Sequence, residues 1–96
     1  MGKGVLNGEK VSATAKENLP ELARTFKTED LSQLVEWLGE KNDQLRYHSL
    51  LLLEHRSADK DDVYPFWDVF RQKLESKNSY QRSIGARLIA ANVQWD

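Results

Sequence analysis

Few side chains in this 96-residue chain have the type and spacing to do chemistry. Its two histidines, His48 and His55, stand seven apart. On one helix that spacing gives a shared face but a separation of about 10 Å. A metal ion would want ligands three or four apart, so both read as solvent-facing or hydrogen-bonded side chains. Asp59, Asp61 and Asp62 superficially match a calcium loop. They lack its glycine and its closing glutamate, so capping and solubility are the expected roles. There is no cysteine, which excludes thiolate metal sites and disulfides. No Ser, His and Asp grouping, glycine-rich phosphate loop or paired-acid arrangement occurs at a recognisable spacing. Arg46 and Arg82 could hold an anion or serve as structural hydrogen-bond donors. The expectation is a protein with no catalytic residue, no metal and no cofactor, and not an enzyme.

Composition narrows the class further. A chain of 11.1 kDa forms one small domain, with 40% hydrophobic and 30% charged residues, as in ordinary globular proteins. Fourteen Lys and Arg against fifteen Asp and Glu leave a net charge of −1. That balance supplies no global field towards nucleic acid or an anionic membrane, so neither is an expected partner. No window reaches the roughly 18 unbroken apolar residues of a spanning helix. The first residues, MGKGVLNGEK, lack the apolar stretch of a signal peptide, and the expected location is cytoplasmic.

The elements that must position these residues are all helical, because apolar residues recur at three and four rather than at two. Residues 1–10 carry three of the five glycines and read as a flexible arm. Asn18, with Pro20 and Glu21 behind it, reads as the cap of a helix to about Lys27; Val11 and Ala15 allow an earlier start with a kink at Pro20. A second helix follows Thr28–Asp30, with Leu31, Leu34, Val35 and Leu38 on one stripe and Gly39 near its end. The third starts at Asn42 or Asp43 and runs to about Arg56. Leu50 to Leu53 make it apolar nearly all round, which places it mid-stack. Residues 57–62 read as a loop. A fourth helix from about Val63 to Ser76 has Val63, Phe66, Trp67, Phe70 and Leu74 inward, and a fifth begins after Asn78, with Gln81 completing a capping box, and runs towards Trp95.

Two of these helix pairs spell the same pattern. Leu31 and Trp67, Leu34 and Phe70, Leu38 and Leu74, Asn42 and Asn78, Arg46 and Arg82, and Leu52 and Leu88 are each 36 residues apart. Helical pairs repeating at such a period mark an alpha-solenoid, in which no unit buries its apolar face alone. Trp67 is therefore expected in the core. Trp37 falls opposite Lys73 in the shift, so it is either covered by the N-terminal helix, through Phe26 or its neighbours, or exposed as an anchor for a partner.

The second helix of each pair resembles that of HEAT-like, armadillo-type repeats: Asn42-Asp43, Leu45-Arg46, Ser49 and Leu52, then Asn78-Ser79, Gln81-Arg82, Gly85 and Leu88. Gln81 departs from the pattern, standing where an apolar residue belongs. The resemblance spans about residues 28–95 and implies an all-α, right-handed alpha-alpha superhelix of about five helices, a domain over 11–96 with units at about 28–57 and 61–96. It also implies that the arginines join a hydrogen-bond ladder between units, and that the second helices line a concave surface for a protein or peptide. On that strip lie Tyr47 as aromatic contact and Glu54 and Arg87 as charged ones, with Trp37 as a further candidate. Ile84, Ile89 and Val93 leave the C-terminal helix calling for cover, so the chain is expected to form a homodimer through that helix or to continue into further repeats. A second resemblance is to bacterial DNA glycosylases for alkylated purines, also built from HEAT-like repeats, through Trp67 and Asp68; those need a longer chain and a basic surface.

Overall fold

The computed structural model describes residues 7–96. Its six α-helices are α1 (Gly8–Ala13), α2 (Leu19–Thr25), α3 (Leu31–Trp37), α4 (Asp43–Asp59), α5 (Trp67–Lys73) and α6 (Ser79–Asn92), with no strand among the described residues. Short 3-10 turns lead into α2, α3 and α5, and another, Val93–Trp95, prolongs α6. Together they form a body of 33 × 28 × 27 Å. Among the described residues no helix is long and apolar enough to cross a membrane.

The 36-residue period is reproduced in backbone detail. Shifted by 36, the 3-10 turn Thr28–Asp30 lands on Tyr64–Phe66, α3 lands on α5, and α4 lands on α6 with its 3-10 extension. The bends between paired helices match bond for bond: the amides of Leu38, Gly39 and Glu40 donate to Val35, Glu36 and Trp37, and those of Leu74, Glu75 and Ser76 donate to Arg71, Gln72 and Lys73. Asn42 then caps α4 by accepting from the Leu45 amide, and Asn78 caps α6 by accepting from Tyr80 and Gln81. Side-chain oxygens of Asn satisfy donors that the first helical turn leaves free, which is why both helices start at the same offset.

The arginines obey the same shift. Arg46 Nη1 donates to the Glu40 carbonyl at 2.9 Å and Arg82 Nη1 to the Ser76 carbonyl at 2.9 Å. The hydrogen bonds of each arginine therefore tie the bend of its own hairpin and, among the described residues, form no ladder from one unit to the next of the kind the family resemblance implied.

α4 lies in the middle, in contact with α1, α2, α3 and α6. Its Leu50, Leu51, Leu52 and Leu53 are all buried, as the nearly all-round apolar pattern requires. Leu52 and Leu88 occupy matching, fully buried sites. Burying a leucine side chain is worth about 1.5–3 kcal/mol, so these stripes, together with Leu31, Leu34, Leu38 and Phe70, hold the helices together.

Several expectations are corrected. The expected arm lies outside the described residues before Asn7, but from Gly8 the chain is helical, because the Asn7 side chain accepts from the amides of Glu9 and Lys10. α1 and α2 are neither one kinked helix nor a single late one: Thr14 and Ala15 are extended and separate them. Asn18 makes no side-chain cap. Ser57 to Asp59 continue α4 instead of opening a loop, since the buried Ser57 hydroxyl donates to the Leu53 carbonyl inside the helix. Gln81 does not return to its own cap; its amide crosses to the Leu38 carbonyl, and its oxygen accepts from Lys73. Trp67 is half-buried against Tyr64, not in the core, and Leu74 is 41% exposed, whereas its counterpart Leu38 is buried and its carbonyl accepts from Gln81 of α6.

Candidate interaction groove

The surface between α4 and α6 builds the most complete candidate site. Helical spacing sets Asp43, Tyr47, Leu50 and Glu54 on one side of α4, and Tyr80, Ser83 and Arg87 on one side of α6. The packing of the two helices opens a groove of about 390 Å3 between them, floored by Leu50 and Ile84. Tyr47 and Tyr80 stand in its walls, 39% and 65% exposed. Each ring carries a cation: Lys16 Nζ lies 5.5 Å from the Tyr47 centroid, and the Arg46 guanidinium 5.0 Å from that of Tyr80. A cation over a ring face is attracted by the ring quadrupole, about 0.5–1 kcal/mol at an exposed site.

At one end of the groove, Arg87 donates from Nε and Nη2 to both carboxylate oxygens of Glu54, at 2.9 and 2.6 Å. This two-pronged pair holds the arginine's pKa above its ordinary value and fixes the guanidinium plane. Arg46 makes a second pair with Asp43 at 2.6 Å. The site thus combines an apolar floor, two exposed phenols and hydrogen-bonded guanidinium groups, a composition suited to holding an amphipathic ligand.

Of the residues expected to meet a partner, Tyr47 and Arg87 line this groove, and Glu54 reaches it through Arg87. Trp37 is elsewhere: it is half-buried, and its indole lies beside Gly8 at the start of α1. Part of its cover therefore comes from the segment expected to be an arm. Tyr80 was missed, although its place three and seven residues before Ser83 and Arg87 put it on the same helical face. Trp67 and Asp68 do not line the groove; Asp68 instead stands 3.7 Å from Arg71.

The histidines serve packing. His48 is buried between α4 and α1, with Nδ1 2.8 Å from the Val11 carbonyl. His55 is half-buried on the same helix. No group of three or more His, Asp or Glu among the described residues could hold a metal ion.

A charged cluster invisible in the sequence ties the first hairpin to α2. Buried Arg56 donates Nη1 to the carbonyls of Ala23 and Phe26, and Nε and Nη2 to Asp62, the last at 2.7 Å. Thr28 donates to the same carboxylate. These bonds hold the Asp62 pKa below its ordinary value. The carbonyl partners lie 30 and 33 residues from Arg56, so no local pattern could reveal them. No family model, curated protein or solved structure matches this chain.

Proposed function

We propose that this chain is a non-catalytic interaction module of HEAT-like repeats, a short alpha-alpha superhelix acting in the cytoplasm, whose α4–α6 groove holds a peptide segment of a protein partner and whose C-terminal helix can pair with a second copy. The observation that supports it is the pair of exposed tyrosines, each with a cation on its ring, above the apolar floor of Leu50 and Ile84. Rigid aromatic side chains offer large contact area at low entropic cost, and arginines beside them add directed hydrogen bonds. The period of 36 residues and the matching bends support the repeat reading.

Selection of peptides from a displayed random library against the folded chain, followed by mapping of amide shifts, tests the groove. Bound peptides should move the amides of Tyr47, Leu50, Tyr80 and Ser83. A Tyr47→Ala and Tyr80→Ala double variant should lose that binding while keeping its melting temperature. Selected peptides that map elsewhere, or bind the double variant equally well, would refute the groove as the site.

A further inference from the structure

Among the described residues, the face of α6 turned away from both α4 and α5 is bare, and the chain itself shows what such a face meets. On α4, the residues turned towards α6 are Leu50, Glu54 and Ser57: Leu50 floors the groove, Glu54 binds Arg87, and the Ser57 hydroxyl accepts from Asn92 while its carbonyl accepts from Gln94 and Trp95. His48, two residues or about 200° around the helix from Leu50, faces α1 instead, so α4 is enclosed on both sides. Adding 36 to Leu50, Glu54 and Ser57 gives Ala86, Ala90 and Val93, all exposed, Val93 by 57%. The same shift turns buried Leu38, whose carbonyl accepts from Gln81, into Leu74, 41% exposed.

We infer that this face joins two copies of the chain about a twofold axis, with α6 antiparallel to its mate and crossing near Ala90. The inference rests on the repeated-hairpin reading and not on the peptide groove. A twofold interface must complement itself. This strip does: Val93 is a knob and Ala86 a hollow, and reversing one helix about a point between Ile89 and Ala90 seats each Val93 against the other copy's Ala86, large against small. Reversal also sends the two Arg82 side chains to opposite ends of the contact, so like charges do not meet. Head-to-tail stacking is disfavoured because the other end of the row is closed by α1, whose exposed residues include the charged Glu9 and Lys10. One end of the stack is therefore polar and the other apolar, and only the apolar end gains by pairing.

The absence of cysteine makes the test direct. Ala90→Cys should cross-link to a dimer under mild oxidation, whereas Ser32→Cys, exposed on α3, should not. In sedimentation the wild-type chain should approach twice 11.1 kDa at high concentration, and Ala90→Glu should stay at the mass of one chain with an unchanged helical spectrum. Tyr47→Ala should leave the dimer intact, so a failed groove and a failed dimer give different results. A wild-type monomer at the highest concentration reached overturns the inference, and so does a dimer that survives Ala90→Glu. Should that variant unfold, the Ala90→Cys and Ser32→Cys pair decides: equal cross-linking of both, or of neither, overturns it.

Discussion

The two hairpins share one backbone and differ in what surrounds them. α3 and α4 have α1 and α2 behind them and α6 in front, whereas α5 and α6 have the first hairpin on one side only. The same position therefore takes different chemistry. Arg56 reaches back to the α2 carbonyls, while its counterpart Asn92 reaches back to Ser57 of the first hairpin. Ser49 keeps a side chain between α4 and its neighbours, but its counterpart Gly85 cannot: a Cβ there would stand 2.5 Å from the Phe70 carbonyl oxygen and 2.8 Å from Lys73 Cβ. A repeat fixes the path of the chain, and neighbours decide which residues that path can carry.

The largest predicted difference lies at the two backward ties. Arg56→Ala leaves Asp62 half-enclosed without its cation and should lower stability by about 3–5 kcal/mol in urea unfolding. Asn92→Ala removes one neutral bond to Ser57 and relieves the carboxamide oxygen that has no partner, so it should cost about 1 kcal/mol or less. Equal losses would show that the two hairpins are anchored alike. Next comes the pair at the ends of the first helices. Leu38→Ala should cost about 2–5 kcal/mol, and Leu74→Ala, measured where the chain is monomeric, under about 1 kcal/mol.

At the helix crossing, Gly85→Ala should destabilise by about 2 kcal/mol, because overpacking against a backbone carbonyl outweighs the roughly 1 kcal/mol of helix propensity that alanine returns. Ser49→Ala should be neutral or slightly stabilising, since its buried hydroxyl has no partner among the described residues. Thermal melts of both variants check this reversal of sign. The smallest effect is on acidity. Asp62 has a folded-state pKa below the ordinary 3.8, so its contribution is present above that value and is lost as the pH falls below it towards the folded-state pKa. Asp62→Asn should remove that acid limb, and a limb that persists would assign it to other carboxylates.

Much of this was legible in the residues. The apolar spacing gave the helices, the asparagines at 42 and 78 gave their starts, and the 36-residue shift gave two equivalent hairpins with Leu52 and Leu88 inside. Tyr47 and Arg87 were placed on one strip by the same shift, and they line one groove. The errors fall where a distant partner decides. Trp67 and Leu74 fit an inward stripe, but burial needs a covering neighbour, and α5 packs chiefly on α6 among the described residues. Gln81 fits a capping box, but the Leu38 carbonyl draws its amide away. Asp62 looked like a surface acid until α4 brought Arg56 to it.

Local backbone preference and hydrophobic period are properties of neighbours along the chain, so the sequence by itself determined the helices of the doubled hairpin and the caps at Asn42 and Asn78. Burial, ion pairing and the opening of the groove depend on residues some thirty or more positions apart. Only the packing of α1, α2 and α6 around α4 decided them, because a side chain's surroundings are set by what stands opposite it in space.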